Sequence, residues 1–498
     1  MKITQLYNSI QEKWIRLFLF YSLSLAFVLL NAWLVLKVDT LLGVVIPFAV
    51  VVIITAIFSY EKLIWLVVFL TPLSIQLRRL VYEAPFDMHV PTEIIMGGIL
   101  ILFFLSFVRG NRIGKKITQH PVSLAIYVYL GWMFITSVTS TLPVVSFKHL
   151  LVHAMYIIVF YFLMSYILKK HEKIERFIWL YSIAFVPVII YAVVRHSAYG
   201  LYDDNAAHWV MVPFFNDHTS YGAALAMFIP FLLAFAFAGW IPKKYKFWIW
   251  MLLLTFIFAE ILSFTRAAWL SLFAAAIVWG IIKLKIKFKT LMIIGLSMLF
   301  IVFAFQDHIL NRLEQNSTDS SSDLMEHFSS MTNITTDASN LERINRWQCA
   351  IAMFKEKPVF GWGPGTYAMH YAPFQITEQR TIISTNSGDG GNAHSDYLGA
   401  LSEMGLLGML AYLSIIIMVL YTGINAYTRA NSERIKTLLL ASVLALITYY
   451  LHGFLNNFLD TDKIGVPFWG FTAIIVALDL YTRSDANAKE IHSTAENE

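Results

Sequence analysis

The chain has a single cysteine in 498 residues, few charges and no nucleotide-binding or nucleophile motif. The lone thiol, Cys349, excludes an internal disulfide and a cysteine-based metal centre, and the residue reads as buried packing. Only 14% of the residues are Asp, Glu, Lys or Arg, too few for a water-soluble globule. No P-loop, no G-x-S-x-G elbow and no Rossmann fingerprint occurs, so ATP-driven and serine-nucleophile chemistry have no support. There is no internal repeat either, which argues against an inverted-repeat transporter.

What is present is apolar. Hydrophobic residues make up 58% of the chain and aromatic residues 15%. A bilayer core needs roughly 20 apolar residues per helix. Runs of that kind recur at 15–36, 41–58, 63–80, 92–108, 121–140, 149–168, 174–194, 219–239, 246–263, 266–283, 289–306, 398–424, 436–455 and 464–481. The runs at 63–80 and across 246–283 are ambiguous. Membrane strands would alternate with period two in blocks of about ten residues; these runs are longer and apolar all round. The expected fold is an all-α polytopic membrane protein with about 12–14 spanning helices.

Orientation follows from the distribution of basic residues. With a cytoplasmic N-terminus, 24 of the 37 Lys and Arg fall on inner segments, 7 in short outer loops and 6 in one long polar insert. That bias predicts cytoplasmic termini and an insert on the outer side, and it makes the +5 net charge a topology signal with no bearing on nucleic acid. Met1 to Leu36 has too long an apolar core for a cleaved secretory signal and reads as a retained first helix. The predicted organisation is membrane helices over 1–306, an outer loop with short helices over 307–397, membrane helices over 398–482 and a polar tail over 483–498.

Within the insert, Gln315 to Asn340 is rich in Ser, Thr, Asp and Asn and reads as a mobile loop. Its Asn333-Ile334-Thr335 fits a glycosylation sequon, which at this length is a chance match. Leu341, Ile344, Trp347, Ile351 and Phe354 recur at helical spacing and predict an amphipathic helix on the membrane's outer face, with Arg343 and Arg346 on its polar side. Pro358 to Gly365 is a chain of tight turns. His394 follows a Gly-rich stretch and precedes the next membrane helix.

Four side chains invite chemistry. Arg266 sits at an outer turn between two apolar helices, where an arginine either snorkels to headgroups or clamps a phosphate with its fork of donors. Arg343 and Arg346, at i and i+3, bind headgroups, face solvent or supply a second clamp. The His394 imidazole either caps the helix start or accepts a hydroxyl proton, with Asn392, Ser395 or Asp396 to orient it. His149 and His153 have the i, i+4 spacing that suits a metal, but no third ligand follows them in sequence. Asp460-Thr461-Asp462 has the form of the acidic pair of metal-dependent glycosyltransferases, though such a pair is more often a solvated turn. Asp203, Asp204 and His208 also lie outside, with no role assigned.

The order of these motifs resembles the O-antigen ligase and Wzy-type polymerase superfamily of bacterial polysaccharide assembly. The carriers are Ser263 to Trp269, Arg343 to Trp347, Pro358 to Gly365, His394, Tyr397-Leu398 and Glu403-Met404-Gly405-Leu406-Leu407-Gly408, within Asn216 to Gly408. The chain is longer than a typical ligase by about two helices. The resemblance implies an inverting, metal-independent glycosyltransferase of lipopolysaccharide biosynthesis in the bacterial inner membrane, with no cofactor. Its donor would be a glycan on undecaprenyl pyrophosphate and its acceptor the lipid A-core. A Wzy-type polymerase would instead extend a lipid-linked glycan, and a protein O-oligosaccharyltransferase would glycosylate a protein. The family's functional arginines correspond to Arg266 and Arg343, with Arg346 able to share the role, and its histidine to His394; Asn392 and Glu403 would be supporting residues. The family's histidine is followed by asparagine, whereas here Ser395 follows and Asn392 precedes. A lipid-linked glycan exporter is the reading from another class. It would place ionisable groups along a mid-membrane path, and the charges here cluster at the predicted helix ends.

Overall fold

The structure is a computed structural model that describes residues 2–38, 59–81, 87–110, 113–169, 171–285, 338–375 and 391–495, with isolated positions between 43 and 55. It divides into two compact units, 1–64 and 65–498. The first holds helix α1 (Lys2–Val38), with an apolar span at Leu17–Leu34.

The larger unit is a helical bundle. After α2 (Tyr60–Leu70), a short pair of strands, β1 (Ile75–Gln76) and β2 (His89–Val90), leads to α3 (Thr92–Val108). Then come α4 (Pro121–Val138), α5 (Pro143–Ile157, continued by a π turn at Ile158–Leu163 to Ile167), α6 (His171–Ser197), α7 (His218–Phe237), α8 (Lys243–Leu262) and α9 (Arg266–Lys283). The insert contributes α10 (Ala338–Glu356), and α11 (Asp396–Arg429), α12 (Glu433–Leu455) and α13 (Asp462–Ala495) close the fold. Ten of the described helices, α5 being counted through its π turn, are long and apolar enough to cross a bilayer, so the chain is an all-α polytopic membrane protein. The expected spans at 41–58 and 289–306, the sequon and nearly all of the Ser-rich loop lie outside the described residues.

Burial sorts the spans by position. Helices α7 and α13 are 83% and 89% buried over their apolar windows, whereas α9 is 17% buried. Phe273, Ile277 and Trp279 on α9 face outwards, and lipid can take the place of protein there because it is as apolar as they are. Helix α12 packs against α7, α9, α11 and α13, and α11 packs against α4.

Two expectations are corrected. The run at 63–80 is not one spanning helix. Pro72 stops α2, a 3-10 turn follows at Thr71–Leu73, and β1 pairs with β2, because the proline ring cannot donate to the preceding turn. The Asp460 and Asp462 pair is not a single solvated turn. Asp462 is fully buried; it accepts from the hydroxyls of Ser74 and of Thr92 at 2.6 Å, and lies 3.5 Å from Lys463 Nζ and 3.7 Å from the His89 ring. Asp460 stays half exposed. A second buried aspartate, Asp479, meets His120 at 3.1 Å, Arg483 at 2.8 Å and Arg429. These two networks pin the start of α13 and the far end of its apolar stretch. The polar tail expected from 483 onward continues α13 as helix to Ala495.

Removing Asp462 would leave the Lys463 ammonium buried against the Thr71 and Ser74 carbonyls and the Ser74 hydroxyl, without the adjoining carboxylate. Asp462→Ala is expected to destabilise the folded protein by on the order of 3–5 kcal/mol, read as a lowered thermal midpoint in detergent; an unchanged midpoint would show the network to be dispensable.

Candidate active site

The N-termini of α7, α9 and α11 meet at one end of the bundle. Asp217 caps α7 by accepting from Ser220 N–H at 2.7 Å. The turn into α9 closes on it: Thr265 Oγ1 donates to the His218 carbonyl at 2.8 Å. Gly222 sits so tightly against this turn that a Cβ there would lie 2.8 Å from Thr265. Ser395 caps α11 by accepting from Leu398 N–H at 3.3 Å. Each helix start carries partial positive charge, which favours an anion.

Around these ends lie Arg266, Arg343 and His394. Arg266 is the first residue of α9 and half-buried. The charges of Arg343 and Arg266 both act on the His218 ring, those of Arg343 and Arg346 act on His394, and that of Arg343 acts on His452. Arg343 is thus common to three imidazoles. Burial, then the two arginines, push the His394 pKa down to about 4, so its ring is neutral at physiological pH.

His394 has φ 47°, in the left-handed region that a residue with a Cβ seldom adopts. Three contacts hold it there. Its N–H donates to Asn392 Oδ1 at 3.0 Å, its carbonyl accepts from Trp347 Nε1 at 3.2 Å, and Asn392 Nδ2 donates to the Asn457 carbonyl at 3.3 Å. Asn392 therefore orients the backbone of His394. Ser395 is committed to its cap, and the buried Asp396 accepts from Tyr449 Oη at 2.7 Å. Among the described residues, none of the three bonds to the imidazole.

Arg346 is not on a solvated face. Helix α10 buries Asn345, Arg346, Cys349, Ala350 and Met353, leaves Ile344, Trp347 and Phe354 half-buried and exposes Ile351, so its most buried face is shifted from the stripe expected from its apolar spacing. The reason lies in the partners. Arg346 Nε donates to Glu342 at 2.7 Å, its guanidinium lies 3.8 Å from the centre of the Tyr371 ring, and its carbonyl accepts from Tyr367 Oη at 2.8 Å. Cys349, Ala350 and Met353 pack with Tyr367, Tyr371 and Ala393, so the helix is anchored within the protein. Burial pushes the Cys349 thiol up to about 11, which makes it inert.

Glu403 ties two motifs into one unit. Its carboxylate accepts from Gly365 N–H and Tyr367 N–H, each at 2.9 Å. Backbone bonds run alongside, from Trp362 N–H to the Ser402 carbonyl at 3.1 Å and from Gly363 N–H to the Glu403 carbonyl at 2.8 Å. The approach demands glycine. Gly361 and Gly405 have φ of 66° and 70°, and a Cβ on either would come within 2.3 Å of backbone.

Sequence reasoning gave no role to Asp217, His218, His208 or His452. His208 stands edge-on to His218 at 4.1 Å. Asn456 Nδ2 donates to His452 Nε2 at 3.1 Å, which leaves His452 Nδ1 as the protonated nitrogen. No short motif links these residues; an outer-end histidine at the start of α7 was the one signal available.

Residues 250–413 match the family model described as O-antigen ligase. The matched stretch runs from within α8 into α11, and it holds Arg266, Arg343, Arg346, Asn392, His394 and Glu403. No curated protein matches the chain.

Loss of the Glu403 carboxylate removes two charge-assisted bonds, worth about 1.5–3 kcal/mol each. Glu403→Ala is expected to raise hydrogen–deuterium exchange at Gly361–Tyr367 with the rest of the bundle still protected; unchanged protection would reject the clasp.

Proposed function

We propose, on the match of residues 250–413 to the O-antigen ligase family model, that this multi-pass protein is an enzyme of the O-antigen ligase/polymerase type and moves a glycan from undecaprenyl pyrophosphate to an acceptor hydroxyl, ligase-like, with lipid A-core as acceptor. Transfer takes place at the periplasmic face of the inner membrane. What supports this reading is geometric: the starts of α7, α9 and α11 come together, Arg266 opens α9, and His394 is fixed beside α10, the helix of Arg343, through Trp347, near enough for the Arg343 charge to reach it.

The donor is already activated, because its leaving group is a lipid pyrophosphate. Two tasks remain: stabilising charge on that group and accepting a proton from the acceptor. Arg266 and Arg343 perform the first, helped by the starts of α7, α9 and α11, and no metal is needed for it. Arg346 lends its charge from behind while it holds α10 against Tyr371. His394 performs the second. Direct displacement by the deprotonating hydroxyl inverts the anomeric carbon.

A base with a pKa of about 4 is weak, and the cause suggests the remedy. Burial holds the proton affinity down first, and Arg343 and Arg346 add to it. A pyrophosphate bound on Arg343 neutralises part of that charge and strengthens the base. His394 therefore becomes effective when the donor is in place.

His394→Ala and Arg266→Ala are each expected to insert normally and to slow transfer by about 10²–10³-fold, measured with lipid-linked glycan and purified variants. Wild-type transfer by either would defeat the assignment. The pH profile gives an independent check. A His pKa lowered from 6.5 to about 4 keeps the neutral, active ring dominant well below pH 6.5, so kcat/KM should hold level from neutral pH down through 6.5 and fall only as the pH nears 4. The acid limb of kcat, which reports the donor-bound enzyme, should lie at higher pH than that of kcat/KM. A kcat/KM limb centred on 6.5 would rule out this environment for the base.

A further inference from the structure

We propose that His149, His153 and Asp460 form a binding site for one divalent transition-metal ion of the zinc class, separate from the arginine–histidine cluster. The ligands come from parts of the chain that no sequence spacing connects. His149 and His153 stand one turn apart on α5; Asp460 lies in the connection between α12 and α13. The Nε2 atoms of His149 and His153 are 3.8 and 3.5 Å from Asp460 Oδ1, and one ligand atom from each residue fits within a 4.8 Å spread. Metal–ligand bonds of about 2.0–2.2 Å in a tetrahedron put ligand atoms about 3.3–3.6 Å apart. Small side-chain movements close the difference.

The histidines are also prepared as ligands. His153 Nδ1 lies 3.3 Å from the His149 carbonyl. A carbonyl only accepts, so Nδ1 carries the hydrogen and Nε2 presents its lone pair toward Asp460. Such a backbone bond sets the tautomer of a metal-binding histidine. The two rings stack with centroids 4.3 Å apart, which brings both Nε2 atoms to one side. Two imidazoles and a carboxylate select a metal such as zinc over magnesium or calcium, which prefer oxygen alone. Asp460 is half exposed, so water can complete the shell.

The ion would fasten the outer end of α5 to the α12–α13 connection. It would also steady the glycine turn, since a Cβ on Gly365 would lie 2.9 Å from His149 Nδ1, and Gly365 is the residue that Glu403 holds. Neither His149, His153 nor Asp460 acts among the leading charges on His394 or His218, so this is a fastening role beside the transfer chemistry.

The test uses full-length protein in detergent, stripped with a chelator and titrated with zinc against a chromophoric competitor, with no glycan present. The parent should bind about one equivalent per chain, and cobalt should give the visible spectrum of a four-coordinate site. Asp460→Ala and His153→Ala should each lose both signals. Zinc should raise the thermal midpoint of the parent and leave that of Asp460→Ala unchanged. Because Asp460 is half exposed, metal-free Asp460→Ala should unfold with the metal-free parent, which separates a lost ligand from a lost fold. Absence of saturable binding to the parent, or equal binding by Asp460→Ala, would overturn the site. Neither result bears on His394 or Arg266.

Discussion

The Glu403 carboxylate is half-buried two turns into α11 and accepts two backbone N–H groups, from Gly365 and Tyr367. A carboxylate in that position is costly unless its oxygens are satisfied, and here each oxygen has a donor. The bond works only because the turn is built from glycines that let backbone meet backbone. From this contact the arrangement of the polar insert follows. Trp362 is held so that its carbonyl accepts from Thr141 N–H at 3.1 Å, at the end of α4, while Trp132 of α4 reaches back to the Met404 carbonyl at 2.8 Å. The turn joins α10 to α11, and α10 carries Arg343.

Charge is placed with the same economy along α13. Asp462 and Asp479 are 17 residues apart, about 25 Å along a helix, close to the thickness of the apolar layer. Each is buried against an imidazole and basic side chains, and Asp462 also accepts from two hydroxyls. Between them the helix is apolar and enclosed. All the candidate chemistry sits at one end of the bundle. Three helices begin there, and their dipoles make the place hospitable to an anion before any arginine is counted.

Legibility in the sequence was uneven, for physical reasons. Long apolar runs have one stable outcome in a bilayer, which is why α4, α7 and α12 fall close to where hydropathy put them. The run at 63–80 failed because hydropathy is blind to the break at Pro72. The buried face of α10 is shifted from its apolar stripe because Glu342 and Tyr371 supply partners for a buried Arg346, which apolar spacing cannot register. The Asp460 and Asp462 pair split because adjacent turn residues can face different layers, one toward His149 and His153 and the other toward Ser74 and Thr92.

The sequence by itself determined the membrane class, the identity of most spanning helices and the motif order that pointed to Arg266, Arg343 and His394, because hydropathy and short spacings are local properties. Only the tertiary structure decided which polar groups share a space. Asp217, His208 and His452 join His218 near Arg343, Asp460 meets a histidine pair some 300 residues earlier in the chain, and Asn392 turns toward the backbone of His394 instead of its ring. Those meetings depend on how helices cross and where turns land, and packing across the whole bundle sets both.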